Sequence, residues 1–149
     1  MTDEWLANIA KHMAQTAYIA GLKGEVVEVG PGRAKLRVPY GPDLVGDPDT
    51  GIVHGGVVTG MLDHTCGVSV SAALGKPMPI ATLDLRIDYM KPAKPGEDLF
   101  AEAECVKVGR EIAFVRGLAH QGSRDAPIAL CTGAFMIIRS GQPVPPMGA

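Results

Sequence analysis

Val53-His54-Gly55-Gly56-Val57-Val58-Thr59-Gly60-Met61-Leu62-Asp63-His64-Thr65-Cys66-Gly67 reads as the start of a buried helix that carries one carboxylate. From Gly55 to Leu74, apolar side chains such as Val57, Met61, Leu62, Cys66, Val68 and Leu74 fall on nearly every side, so other structure must wrap this helix. At ~100° per residue, Gly56, Gly60, Asp63 and Gly67 share one narrow face, and Asp63 is ringed by residues without side chains. Something approaches that face closely. Glycine inside a helix costs ~1 kcal/mol relative to alanine, so three beside one acid call for compensation. They either admit a packed neighbour next to a locally bonded acid or serve a site, and the cost favours a site. His54-Gly55-Gly56 lies at the helix N-terminus, where unpaired N–H groups and the macrodipole favour developing negative charge. That end is a candidate oxyanion site.

Distance then decides the architecture. Gly55 and Asp63 are eight residues apart, which at 1.5 Å per residue puts the amide and the carboxylate roughly 12 Å apart on one helix. A reacting carbon needs its base and its oxyanion donors each about 3 Å away. Acting on one substrate, the two groups must come from two copies of the helix. The expectation is a homodimer with an antiparallel helix pair and two shared active sites.

The 149 residues, 46% of them hydrophobic, predict one domain over residues 1–139 with a substantial core, followed by a frayed, proline-rich tail from Ser140 to Ala149. A net charge of −2 offers no basic field for nucleic acid and no polybasic membrane anchor. The acidic start Met1-Thr2-Asp3-Glu4 and the lack of eighteen consecutive apolar residues support neither a signal peptide nor a spanning helix. Cys66, Cys105 and Cys131 are odd in number, sit among apolar residues and lack paired-ligand spacing. They read as buried free thiols in a reducing cytoplasm. His54, Asp63 and His64 do not place three ligands on one helix face, so neither a metal nor another cofactor is expected.

Upstream, Thr2 can cap a helix with Asp3 and Glu4 in its first turn, and Trp5, Leu6, Ile9, Met13, Ala17 and Ala20 form an apolar stripe ending at Gly21. Its polar face carries too little positive charge for membrane insertion, and docking on the domain is expected. Two strands follow, Lys23 to Val29 and Arg33 to Val38, joined by Gly30-Pro31-Gly32. Pro39 to Gly51 is a Gly-, Pro- and Asp-rich loop leading to the helix. Beyond Gly75-Lys76-Pro77, the segment Ile80 to Lys91 alternates Leu83, Leu85, Ile87 and Tyr89 with Thr82, Asp84, Arg86 and Asp88, a period of two that marks a strand. The charges on Asp84, Arg86 and Asp88 read as a solvated face with cross-strand pairs. Three more antiparallel strands are expected over Leu99 to Val108, Glu111 to His120 and Ile128 to Arg139. Helix, two strands, buried helix and four strands describe an α+β domain in which a curved antiparallel sheet wraps one long helix.

Val53-His54-Gly55-Gly56 with Asp63 seven residues after the second glycine, the run from Ala81 to Ala93 through Asp84, Tyr89 and Pro92, and Val108-Gly109-Arg110-Glu111-Ile112-Ala113-Phe114 resemble the hotdog-fold acyl-CoA thioesterases of the phenylacetate-pathway (PaaI-like) type. The resemblance extends from Gly24 to Arg139. It implies a hotdog fold and hydrolysis of an acyl-CoA to free acid and CoA. Asp63 would be the general base or nucleophile, and the Gly55 amide of the partner subunit would polarise the thioester carbonyl. Thr82 would position the water or carboxylate. His54 would either order the site or bond loop backbone. Gly56 would join the binding end, and Lys91, Lys94 and Arg110 would meet CoA phosphates. A homotetramer, as a dimer of dimers, is implied too. The chain departs from the pattern at Pro48, flanked by Asp47 and Asp49, where relatives often carry Asn or Gln ahead of the histidine. A non-hydrolysing acyl-CoA binder or structural oligomer on the same fold is the alternative, since a fold does not fix a function.

Overall fold

The computed structural model describes residues 3–139. The predicted Thr2 cap and the tail from Ser140 to Ala149 lie outside the described residues. Helices α1 (Asp3–Met13) and α2 (Ala17–Gly21) precede strands β1 (Glu25–Gly30) and β2 (Arg33–Val38), the central helix α3 (Gly55–Leu74), and strands β3 (Ile80–Tyr89), β4 (Leu99–Val108), β5 (Ile112–His120) and β6 (Ala129–Ile137). The strands form one antiparallel sheet in the order β1-β2-β4-β5-β6-β3. This is the expected hotdog architecture, a curved sheet around one long helix.

The sheet's inner face supplies Leu36, Val38, Leu99, Ala101, Val115 and Phe135 to a core whose other half is Met61, Leu62, Cys66 and Val70 of α3. Small residues on the central strands, such as Ala101, Ala103, Ala113, Ala119 and Ala129, let the sheet close on the helix. Helix α3 has the length and apolarity of a membrane span, yet most of it is buried against this sheet. The β1–β2 hairpin turns on Pro31-Gly32, with Gly32 at φ +65°, as a proline followed by a glycine at the left-handed position requires.

The N-terminal segment departs from the single helix expected up to Gly21. It breaks after Met13, where Thr16 adopts extended backbone (φ −61°, ψ 135°) and its Oγ1 donates to the Met13 carbonyl at 3.3 Å. The break has a packing cause. A continuous helix would aim Ala17 and Ala20 inward, whereas the turn leaves both exposed, buries Ile19 completely and brings Tyr18 onto α3. Among the thiols, Cys66 and Cys131 are buried with sulfurs 3.8 Å apart, but Cys105 is only half-buried.

Candidate active site

Asp63 lies in the middle of α3, half-buried, and accepts a 2.8 Å hydrogen bond from Thr82 Oγ1. Strict alternation along β3 would have turned Thr82 outward with Asp84, Arg86 and Asp88. A bulge prevents this. Thr82 pairs with Phe135 and Asp84 with the adjacent Ala134, so Leu83 is an extra residue and everything before it changes face. Thr82 thereby joins Ile80 on the side facing the helix and meets the acid.

The glycine face of α3 is approached closely, as expected, and the approaching groups belong to this same chain. A Cβ at Gly60 would collide with the ring and hydroxyl of Tyr18. One at Gly67 would touch Phe135 at 3.6 Å and Ile80 at 3.7 Å, and one at Gly56 would press on the His54 ring. Packing therefore accounts for three of the glycines. Asp63 is left as the one functional group on that row.

At the N-terminus of α3, His54 is the capping residue, with extended backbone (φ −61°, ψ 132°). Its Nδ1 accepts from the Gly56 N–H at 2.9 Å and its carbonyl accepts from Val57 at 3.0 Å. An accepting Nδ1 carries no proton, so the ring is the Nε2–H tautomer and its donor points away from the helix end. Gly55 contributes the first helical amide, a position without an intrahelical acceptor. Over it lies Tyr89, whose hydroxyl donates to the Gly55 carbonyl at 3.0 Å and contacts Thr59 Oγ1. Gly55, Tyr89, Met90, Lys91 and Ala93 line a hollow of about 370 Å³ beside that amide.

Of the residues proposed for CoA, Lys91 and Lys94 lie at the Gly55 end, where Lys94 is held through two backbone hydrogen bonds with the Gln121 side chain (2.8 and 2.9 Å). Arg110 does not join them. It occupies the β4–β5 turn at the far end of strand β4, roughly 30 Å from Leu99 at 3.3 Å per residue. The loop around Pro48 is built on Asp47, which accepts from the Asp49 amide at 3.1 Å and from Thr50 Oγ1 at 2.6 Å. The Thr50 hydrogen bond, followed by that of the Asp49 amide, lowers the Asp47 pKa. Asp47 is thus committed to shaping the loop.

Two residues at the site were missed from sequence, Tyr89 and Tyr18. Both read as ordinary positions in a strand and a helix, and only their partners, Gly55 and Gly60, carried a signal: a glycine inside a helix marks where something large comes close. Among the described residues no group of three or more His, Cys, Asp or Glu could hold a metal ion.

The thioesterase superfamily model matches residues 50–128, more than half of the chain. A protein of Halobacterium salinarum classed provisionally as an esterase is 31% identical over 92% of this chain and 95% of its own length. The medium/long-chain acyl-CoA thioesterase YigI of Escherichia coli K12 is 30% identical over 70% of this chain and 74% of its own. Among solved structures, a Pseudomonas aeruginosa protein superposes with a TM-score of 0.80 at 38% identity, covering 89% of this chain and 98% of that one. The phenylacetic acid degradation protein PaaI of Thermus thermophilus shares the fold, with a TM-score of 0.72 at 24% identity over 83% of this chain and 100% of that one. With the capped glycine helix, its acid bonded by Thr82 of the sheet and the curved sheet around them, these matches lead to one statement: the chain belongs to the thioesterase superfamily and has its hotdog fold.

Proposed function

We propose that the protein hydrolyses acyl-CoA thioesters at sites shared between two protomers, with Asp63 of one acting as general base or nucleophile and the Gly55 amide of the other polarising the carbonyl. The Asp63–Thr82 hydrogen bond carries this reading, because it fixes one carboxylate oxygen and leaves the other to face substrate. In the base route Asp63 takes a proton from water, the hydroxide adds to the carbonyl carbon, the C–S bond breaks, and the thiolate recovers the proton. In the nucleophile route an Asp63 acyl anhydride forms first and water then cleaves it. A thiolate leaves with little acid assistance, so base and oxyanion donor suffice.

The same helix that places the two groups about 12 Å apart in one protomer argues for two copies. Strand β3 ends the sheet with an unpaired edge and with Leu83, Tyr89 and Met90 exposed, which favours pairing with a second copy there. In such a site Lys91 and Lys94 arrive with the Gly55 protomer. Arg110 arrives with the Asp63 protomer, since the β4–β5 turn and the start of β3 share one end of the sheet. Pairing of such dimers gives the homotetramer, and cytoplasmic residence agrees with the free thiols.

Thiol release from an acyl-CoA panel tests the reading. Asp63→Asn should lower turnover by about 10²–10⁴-fold, as loss of a positioned base does, with CoA binding retained. Gly55→Pro isolates the oxyanion amide. Proline is favoured at the first helical position, His54 already has the extended backbone that a residue before proline prefers, and a Cβ at Gly55 meets Tyr89 at 3.6 Å, an ordinary contact. It should lower kcat by roughly 10²–10³-fold while the fold stays intact. No thiol release by the wild type from any chain length sinks the proposal in favour of a non-hydrolysing binder.

A further inference from the structure

The break between α1 and α2 has a second product besides the burial of Ile19. It lays the Tyr18 ring against Gly60, where a Cβ would fall on the ring and the hydroxyl, so the hydroxyl stands where a side chain of residue 60 would begin. Core filling does not account for this. The tyrosine is 56% exposed, and among the described residues its hydroxyl has no hydrogen-bond partner. Glycine in mid-helix is unfavourable relative to alanine, so the chain gives up helix stability to seat one polar atom there.

That seat adjoins the acid. Gly60 and Asp63 are three residues apart, roughly 60° around α3, and side chains so spaced stand about 5–6 Å from each other. On the other side of Asp63 lie Thr59, which Tyr89 contacts, and Thr82, which bonds Asp63 Oδ1. The acid therefore sits between the β3 side and the Tyr18 side of one helix face. A single water making two hydrogen bonds of about 2.8 Å spans roughly 5 Å between oxygens, which matches the spacing. We propose that the Tyr18 hydroxyl holds the hydrolytic water beside Asp63 of the same protomer. The assignment rests on Asp63 acting by the base route, and it completes the bonding of the water. One hydrogen faces the carboxylate oxygen that Thr82 leaves free, the other is donated to Tyr18 Oη, and a lone pair is left for the carbonyl carbon. As the C–O bond forms, the first hydrogen passes to Asp63 as a proton, and the thiolate recovers it when the C–S bond breaks. Tyr18 keeps its own proton throughout.

Tyr18→Phe keeps the ring and removes the hydroxyl. Its kcat on an acyl-CoA should fall about tenfold, with KM within about twofold and the thermal midpoint unchanged. Gly60→Ala puts a methyl where the hydroxyl stands, in a better helix former, and should lower kcat at least as far. The sharper comparison adds Tyr18→Phe to Asp63→Asn. With the base gone, losing the hydroxyl should change the residual rate by less than about twofold, because groups acting on one water are not additive. Wild-type kcat in either single variant, or a further tenfold fall in the double variant, overturns the inference. Dissociation of the Tyr18→Phe assembly in sedimentation overturns it too, since Tyr18 would then be a subunit contact. Unchanged turnover in Asp63→Asn sinks the catalytic reading and this assignment together. An inactive Asp63→Asn beside a fully active Tyr18→Phe sinks the water seat alone.

Discussion

Among the described residues, the side-chain hydrogen-bond partner of Asp63 is the hydroxyl of Thr82, at 2.8 Å. Thr82→Val keeps the shape and removes the donor, so kcat should fall about tenfold while stability changes by only ~1 kcal/mol, the net worth of one hydrogen bond. Parallel thiol-release and thermal-melt measurements separate the two effects. The next residue acts on stability instead. His64 lies off the glycine row, its Nε2 buried and, among the described residues, without a hydrogen-bond partner. Burial lowers its pKa from 6.5, only partly offset by a hydrogen bond with the Met13 backbone and by the charge of Asp63. In the unfolded chain this histidine protonates near pH 6.5, and in the folded chain only at lower pH. Its contribution is therefore complete above pH 6.5 and is lost as pH falls from there to the folded value. His64→Gln should flatten that part of the acid limb in urea melts taken between pH 7 and pH 5. An unchanged slope would show that other groups set it. At this scale Asp63 was legible from its glycine neighbours, while Tyr18 and Tyr89 were not, because a side chain's reach across elements leaves no local period.

Strand β3 shows how one inserted residue changes chemistry. The bulge at Leu83 turns Thr82 to the helix, and opposite it β6 carries Gly133, where a Cβ would stand 2.6 Å from the Asp84 carbonyl oxygen. Backbone offers no rotamer with which to yield. Gly133→Ala should destabilise the fold by roughly 1–3 kcal/mol, the cost of overpacking, read as a lower urea midpoint with an unchanged slope. Activity per folded molecule should fall too, since the shift propagates to Thr82. The period of two identified β3 as a strand but assigned Thr82 to its outer face, because a bulge is a property of two strands and appears in neither alone. The broken N-terminal helix has the same origin: α1 and α2 each satisfy helical periodicity, and the demand to bury Ile19 separates them.

Across the whole molecule, the roughly 12 Å of helical rise between the Gly55 amide and Asp63 is the feature on which a two-copy site rests. Mixing Asp63→Asn with Gly55→Pro tests it without any structure of the assembly. Each variant alone should be nearly inactive. Randomly mixed dimers should recover about a quarter of wild-type activity, because each mixed dimer rebuilds one site from the intact acid of one protomer and the intact amide of the other. No recovery after subunit exchange, verified by tagged copurification, would mean that both groups act within one protomer or that one of them does not act.

From the sequence alone came the apolar wrap of α3, the place of its N-terminus, the acid on the glycine face, and strands within two residues of their observed limits, because side-chain periods of 3.6 and 2.0 are set by local backbone geometry. The separation of Gly55 from Asp63 followed as well, since helical rise is constant. Tertiary structure decided which face Thr82 takes, which tyrosines cover Gly55 and Gly60, and that Arg110 stands apart from Lys91 and Lys94. Those facts depend on strand register and on contacts between residues distant along the chain, and no local pattern encodes them.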